Sequence, residues 1–136
     1  MSTEGVEGVR RAYDGLNRGQ NNGEDLRRSI RETCHPDIVL EMGLLEGTFH
    51  GHEGFALFVE GQTAIIDGLR ADPEEFIEVG DHVVVPFRLS GRARNTEIPV
   101  EYHYVHVWTL HDGKVSHLKL YGSKESALRD LTSLEQ

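Results

Sequence analysis

The stretch Glu97–Tyr121, EIPVEYHYVHVWTLHDGKVSHLKLY, constrains this chain more than any other part of it. Every second residue from Tyr102 gives Tyr102, Tyr104, His106, Trp108 and Leu110, with His103, Val105, Val107 and Thr109 between them. A period of two that is rich in β-branched and aromatic side chains is a strand. The turn is His111-Asp112-Gly113-Lys114, where Asp-Gly supplies the positive φ that a tight hairpin needs. The return strand alternates Ser116, Leu118 and Leu120 with His117, Lys119 and Tyr121. Neither face of this hairpin is plainly polar, so both need cover. We expect helices on one face and a partner on the other.

The flanking segments supply the helices. Val6, Val9, Tyr13 and Leu16 fall at helical spacing, with Gly19 as a stop, and Leu26, Ile30 and Cys34 mark one face of a second helix that ends at His35-Pro36. Between them the segment GQNNGED is a polar loop. Asp37 to Met42 alternates Ile38, Leu40 and Met42 against Val39 and Glu41, a short strand closed by the glycines of MGLLEG. From Gly51 the pattern is helical again, and Phe55, Phe58, Gln62, Ile65, Ile66 and Leu69 predict one long element. Glu75 to Val79 and His82 to Leu89 read as strands, and Pro86 implies an edge, a bulge or a gap in pairing. Gly91 to Thr96 is a hairpin tip, and a serine-capped helix carrying Ala127, Leu128, Leu131 and Leu134 follows the last strand. Helices first and an antiparallel sheet last imply an α+β domain. A strongly bent sheet packed on three helices makes a cone, whose interior is a ready ligand pocket.

Composition excludes several functions. The length of 136 residues supports one domain over 1–136 with a sizeable core. The net charge of −9, from 23 acidic and 14 basic residues, repels phosphate backbones, so neither nucleic acid nor an anionic membrane is an expected partner. No apolar run approaches the length of a bilayer span, and MSTEGVEGVRR lacks the apolar core of a secretory signal. Cys34 is the only cysteine, which leaves a cytoplasmic address as the default.

The segments VRRAYDGLNRG, HPDIVLE, GTFHGHEGF, PEEFIEVGDHVVV and VHVWTLHDGKV, in this order and spacing, resemble the SnoaL-like, ketosteroid-isomerase-like branch of the nuclear-transport-factor-2-like superfamily. The resemblance spans nearly the whole chain. It implies the cone-shaped, cystatin-like α+β roll, and it leaves the reaction open because this fold carries many chemistries. It also allows a position-by-position comparison. The carboxylate base of the ketosteroid isomerases falls on Met42, a thioether that takes no proton. Their two oxyanion donors fall near Tyr13, displaced by one residue, and on His106. The late acid of SnoaL-type cyclases falls near Gly122 and Ser123.

Histidine and tyrosine therefore remain for acid–base work. His106 and Tyr13 are the candidate catalytic pair, able to orient a substrate oxygen near neutral pH. Ile38, Leu40, Met42, Phe58, Tyr104, Trp108 and Leu118 are the candidate substrate-binding wall. His103 belongs to the partner face, His50 and His52 either rim the pocket or are solvated, and His35, His82, His111 and His117 read as structural. The pairs His50/His52 and His103/His106 lack metal-site spacing, the second because it splits across two faces of a strand. Cys34 reads as a small core residue. No phosphate loop or cofactor motif stands out, so neither metal nor cofactor is expected. Two functions follow: polyketide-cyclase- or isomerase-type chemistry on a hydrophobic cyclic molecule, or non-catalytic binding of a hydrophobic ligand or service as an accessory interaction domain. A homodimer through the outward face of the last strands is expected in either case.

Overall fold

The computed structural model describes residues 3–19, 23–43 and 47–134, so the polar loop at 20–22 and residues 44–46 of the MGLLEG turn lie outside the described residues. The described elements run α1 (Thr3–Gly19), α2 (Gly23–Thr33), β1 (Cys34–Glu41), β2 (Thr48–His50), α3 (Gly51–Thr63), β3 (Ile66–Pro73), β4 (Ile77–Val79), β5 (His82–Ala93), β6 (Pro99–His111), β7 (Lys114–Tyr121) and α4 (Lys124–Leu134). The strand order is β2-β1-β7-β6-β5-β3, with β4 also paired to β5. Pairing is antiparallel except between β1 and β7, which run parallel. The wholly antiparallel sheet expected above is thus a mixed one. β1 and β7 are far apart in sequence, so no turn joins them and none sets their relative direction.

The central hairpin forms as its alternation requires. β6 and β7 meet at Asp112 and Gly113, whose φ values of 53° and 81° match a type I′ turn. On the concave face Trp108 pairs with Leu118 and His106 with Leu120. Val83, Val85 and Phe87 of β5 continue that face, and all three are buried with Ile38, Leu40, Val9, Ala12, Tyr13, Leu26, Ile30 and Phe55 in one core. Each valine, leucine, isoleucine or phenylalanine among them contributes about 1.5–3 kcal/mol by leaving water.

Pro86 sits in the gap in pairing that its missing N–H demands. The outer edge of β5 is shared by two strands: β3 pairs as far as Pro73 with Phe87, and β4 starts at Ile77 with Val84. Pro86 lies between them and uses its carbonyl to accept from Glu74 N–H at 2.8 Å.

Two expectations fail locally for the same reason, the demand for strand pairing. Ile65, Ile66 and Leu69 do not continue the third helix. That helix ends at Thr63, and Ile66 opens β3 opposite Ala93. A short apolar run fits a helix or a buried strand equally, and here the unpaired edge of β5 selects the strand. Cys34 is likewise the first residue of β1 rather than the last of α2, and pairs with Val115.

The outward face also departs from expectation. Val105 and Val107 are not free for a partner. With Val84 they are buried beneath Ala127 and Leu131 of α4, which folds back over the sheet after its Ser123 N-cap. The apolar surface on which the homodimer was argued is covered by the chain's own C-terminal helix. Among the described residues, no helix is long and apolar enough to cross a membrane.

Candidate functional site

The helices fill only the narrow end of the cone. There Tyr13, Ile38, Leu40 and Trp108 pack against one another with at most 1% exposure. Beyond them the long arms of β5 and β6 run past the end of α3, and a cavity of about 520 Å³ remains. Its walls are Phe55, Phe58, Val59 and Gln62 from α3, Ile66, Leu69 and Ala71 from β3, and Phe87 and Leu89 from β5. Tyr102, Tyr104 and His106 of β6 and Leu118 and Leu120 of β7 face them, with Leu16, Met42 and Ile65 completing the lining. Ile65 and Tyr102 stand at the rim, 62% and 45% exposed. No carboxylate, ammonium or guanidinium lines this cavity among the described residues. A second, more open concavity of about 410 Å³ on the outer side is lined by Glu74, Glu75 and Lys124 among others, and suits an apolar molecule poorly.

Four of the wall residues expected from the sequence, Met42, Phe58, Tyr104 and Leu118, meet here with the candidate catalytic residue His106. Ile38, Leu40 and Trp108 face the same side of the sheet but lie in the sealed core beneath the cavity. Tyr13 is there too, so its hydroxyl does not reach the cavity directly. By strand alternation Phe87 and Leu89 share the Val83 face of β5, and Tyr102 shares the face of Tyr104 and His106. Those three were legible. Ile66, Leu69 and Ala71 were hidden by the helical reading of their segment.

His106 is the polar centre of the wall. Its ring stacks on Phe87 with centroids 3.9 Å apart and an interplanar angle of 13°. Its Nδ1 lies 2.7 Å from the Tyr13 hydroxyl oxygen, which also accepts the Trp108 indole N–H at 3.0 Å. Burial pushes the imidazole down to about 3, so the side chain is neutral at physiological pH. The Tyr13 hydroxyl is pushed up well above its ordinary value by burial, against a smaller opposing effect of the bond from Trp108, and is protonated.

The other histidines lie outside the cavity. His103 is exposed and pairs with Glu101 at 2.8 Å. His52 donates through Nε2 to the Cys34 carbonyl at 2.9 Å, and His50 is exposed on β2. His35 donates to the His111 carbonyl at 2.6 Å, and His82 Nδ1 meets the Thr109 hydroxyl at 2.9 Å. His117 Nε2 lies 2.6 Å from Glu41 Oε2 without making a hydrogen bond. Cys34 is buried, and desolvation pushes its thiol up to about 11, the pKa of a packed rather than a reactive side chain.

Known proteins place this geometry in a family. Residues 9–118 match the SnoaL-like domain. Among solved structures, TerC co-crystallised with polyporic acid is 26% identical, with a TM-score of 0.73 over 95% of this chain and 98% of TerC. A provisionally named SnoaL-like polyketide cyclase from Jannaschia sp. CCS1 is 24% identical, with a TM-score of 0.76 over 95% of this chain and 92% of that one. An NTF2-like protein of unknown function from Burkholderia pseudomallei K96243 is 24% identical, with a TM-score of 0.75 over 97% and 99% of the two chains. The last two likenesses establish the fold. No curated protein matches. With its domain match extending over most of the sequence and its cone-shaped sheet shared by these structures, the chain belongs to the SnoaL-like domain family.

Proposed function

We propose that the cavity takes a small hydrophobic cyclic molecule and brings one of its oxygen atoms to His106, where acid–base chemistry of the polyketide-cyclase or isomerase type takes place. The observation that carries this reading is the combination of an apolar space of about 520 Å³ with one buried, neutral imidazole on its wall. A volume in this range suits a small organic ligand, and few convergent polar groups suit one that is mostly apolar. TerC, a similar protein, has been crystallised with the small molecule polyporic acid, which supports small-molecule binding.

Non-catalytic binding is favoured by a different observation, the lack of any carboxylate on the described wall. Met42 lines the cavity where the resemblance puts the isomerase base. A missing general base costs about 10²–10⁴-fold in rate, so steroid isomerisation by this chain is expected to be negligible.

Titration with polyporic acid, followed by Trp108 fluorescence and thermal shift, tests the site. The wild type is expected to bind, and Leu89→Arg, which places a charge on the half-buried wall, is expected to lose binding while staying folded. Binding that is indifferent to Leu89→Arg would sink this cavity as the site. Recovery of every offered cyclic ketone or phenol unchanged after prolonged incubation would decide for the non-catalytic reading.

A further inference from the structure

The buried polar groups behind the cavity wall allow one complete proton assignment. An indole N–H only donates, so the Tyr13 oxygen receives the Trp108 hydrogen. Tyr13 has one hydroxyl hydrogen of its own, and Nδ1 of His106, 2.7 Å away, is the acceptor it meets. Nδ1 is therefore bare. A neutral imidazole carries a single N–H, which must then sit on Nε2. In the reverse assignment Nδ1–H donates to Tyr13 and the hydroxyl hydrogen is buried without a partner. That form is disfavoured by about tenfold or more.

Nε2 has no hydrogen-bond partner among the described residues, yet it is not one of the closed-off polar atoms. His106 lines the cavity, so Nε2–H is the ring donor it has left for a ligand. The groups around the ring are Tyr13 from α1, Phe87 and the paired Val85 from β5, Tyr104 and Trp108 from β6, and the paired Leu120 from β7. None carries a charge that would draw a proton to Nδ1.

We infer that Trp108 and Tyr13 are positioning residues that hold His106 as a fixed Nε2–H donor, so that the cavity selects ligands presenting an acceptor oxygen, a ketone carbonyl or an oxyanion, over the matching hydrocarbon. The selectivity rests on the cavity being the ligand site; the proton assignment does not. Its chemical consequence is that His106 serves only the acid side of the proposed chemistry, lending a hydrogen to oxygen and taking none from carbon, because its one lone pair is engaged by Tyr13.

Long-range proton–nitrogen correlation spectra of ¹⁵N-labelled protein, with His106 assigned by comparison with His106→Gln, read the tautomer without any ligand. The wild type is expected to show the pure Nε2–H pattern from about pH 5 to pH 8, and Tyr13→Phe to shift both ring nitrogens towards a tautomer average. An Nδ1–H pattern in the wild type overturns the lock. The second arm measures binding of 1-tetralone and of tetralin, which share a skeleton and differ in one carbonyl. The preference for 1-tetralone is expected to fall by about tenfold in His106→Phe and to shrink in Tyr13→Phe. An unchanged ratio in both variants overturns the selectivity. Binding of neither compound by the wild type overturns the selectivity together with the cavity reading, while the spectrum alone decides the lock.

Discussion

Burial alone sets the charge of His106. Desolvation pushes it from an ordinary 6.5 down to about 3, with no charged neighbour contributing. The folded state accepts only the neutral ring, whereas the unfolded chain protonates it below about 6.5. Its contribution to stability is therefore whole above pH 6.5 and is lost as pH falls from 6.5 towards 3. The slope from this one group is up to about 1.4 kcal/mol per pH unit. Urea unfolding at several pH values should show it, and His106→Gln, whose amide oxygen can still accept the Tyr13 hydroxyl, should flatten the curve in that window. Equal slopes in the two proteins would mean that His106 is not held neutral. The tyrosine beside it illustrates a limit of reading by position: Tyr13 was legible as a partner of His106, but not as one turned away from the ligand, because a helical residue's depth depends on what the sheet packs against it.

At the scale of elements, two glycines with opposite surroundings test the helix packing. A Cβ at Gly15 in α1 would overlap the Ser29 side chain of α2, so the helices cross closely there. Gly15→Ala should cost about 1–3 kcal/mol through overpacking. Gly61 in α3 has open space around the same atom, and Gly61→Ala should stabilise by about 0.5–1 kcal/mol, since alanine loses less backbone entropy in a helix. Denaturant midpoints of the two variants should move in opposite directions; a shared direction would contradict the packing of α1 on α2. The C-terminal helix supplies a second test. Val107→Glu places a charge between β6 and α4, beneath Ala127 and Leu131. It should cost at least about 3 kcal/mol and expose the α4 amides to hydrogen exchange. Full stability, with only a change of oligomeric state by light scattering, would show that this face meets a partner instead.

Across the whole molecule, the net charge of −9 sets what the surface meets. The chain should not be retained on immobilised duplex DNA or anionic vesicles at about 0.15 M salt, and retention there would indicate a basic patch stronger than the overall field. Residue order by itself determined the strands of the central hairpin, the Asp112-Gly113 turn, the shared face of His106 and Trp108, the apolar character of Met42 and the helical nature of α1 and α4. All of these follow from local periodicity, turn chemistry or side-chain type, which act within a few residues. Tertiary structure alone decided that Ile66–Pro73 is a strand, that β1 runs parallel to β7, that α4 rather than a second copy covers Val105 and Val107, and that Trp108 closes the floor beneath the cavity while Phe87 lines it. These outcomes depend on which distant edge or face lacks a partner. An unpaired strand edge or an uncovered apolar face costs free energy that only a segment far away in sequence can recover, so no local pattern announces it.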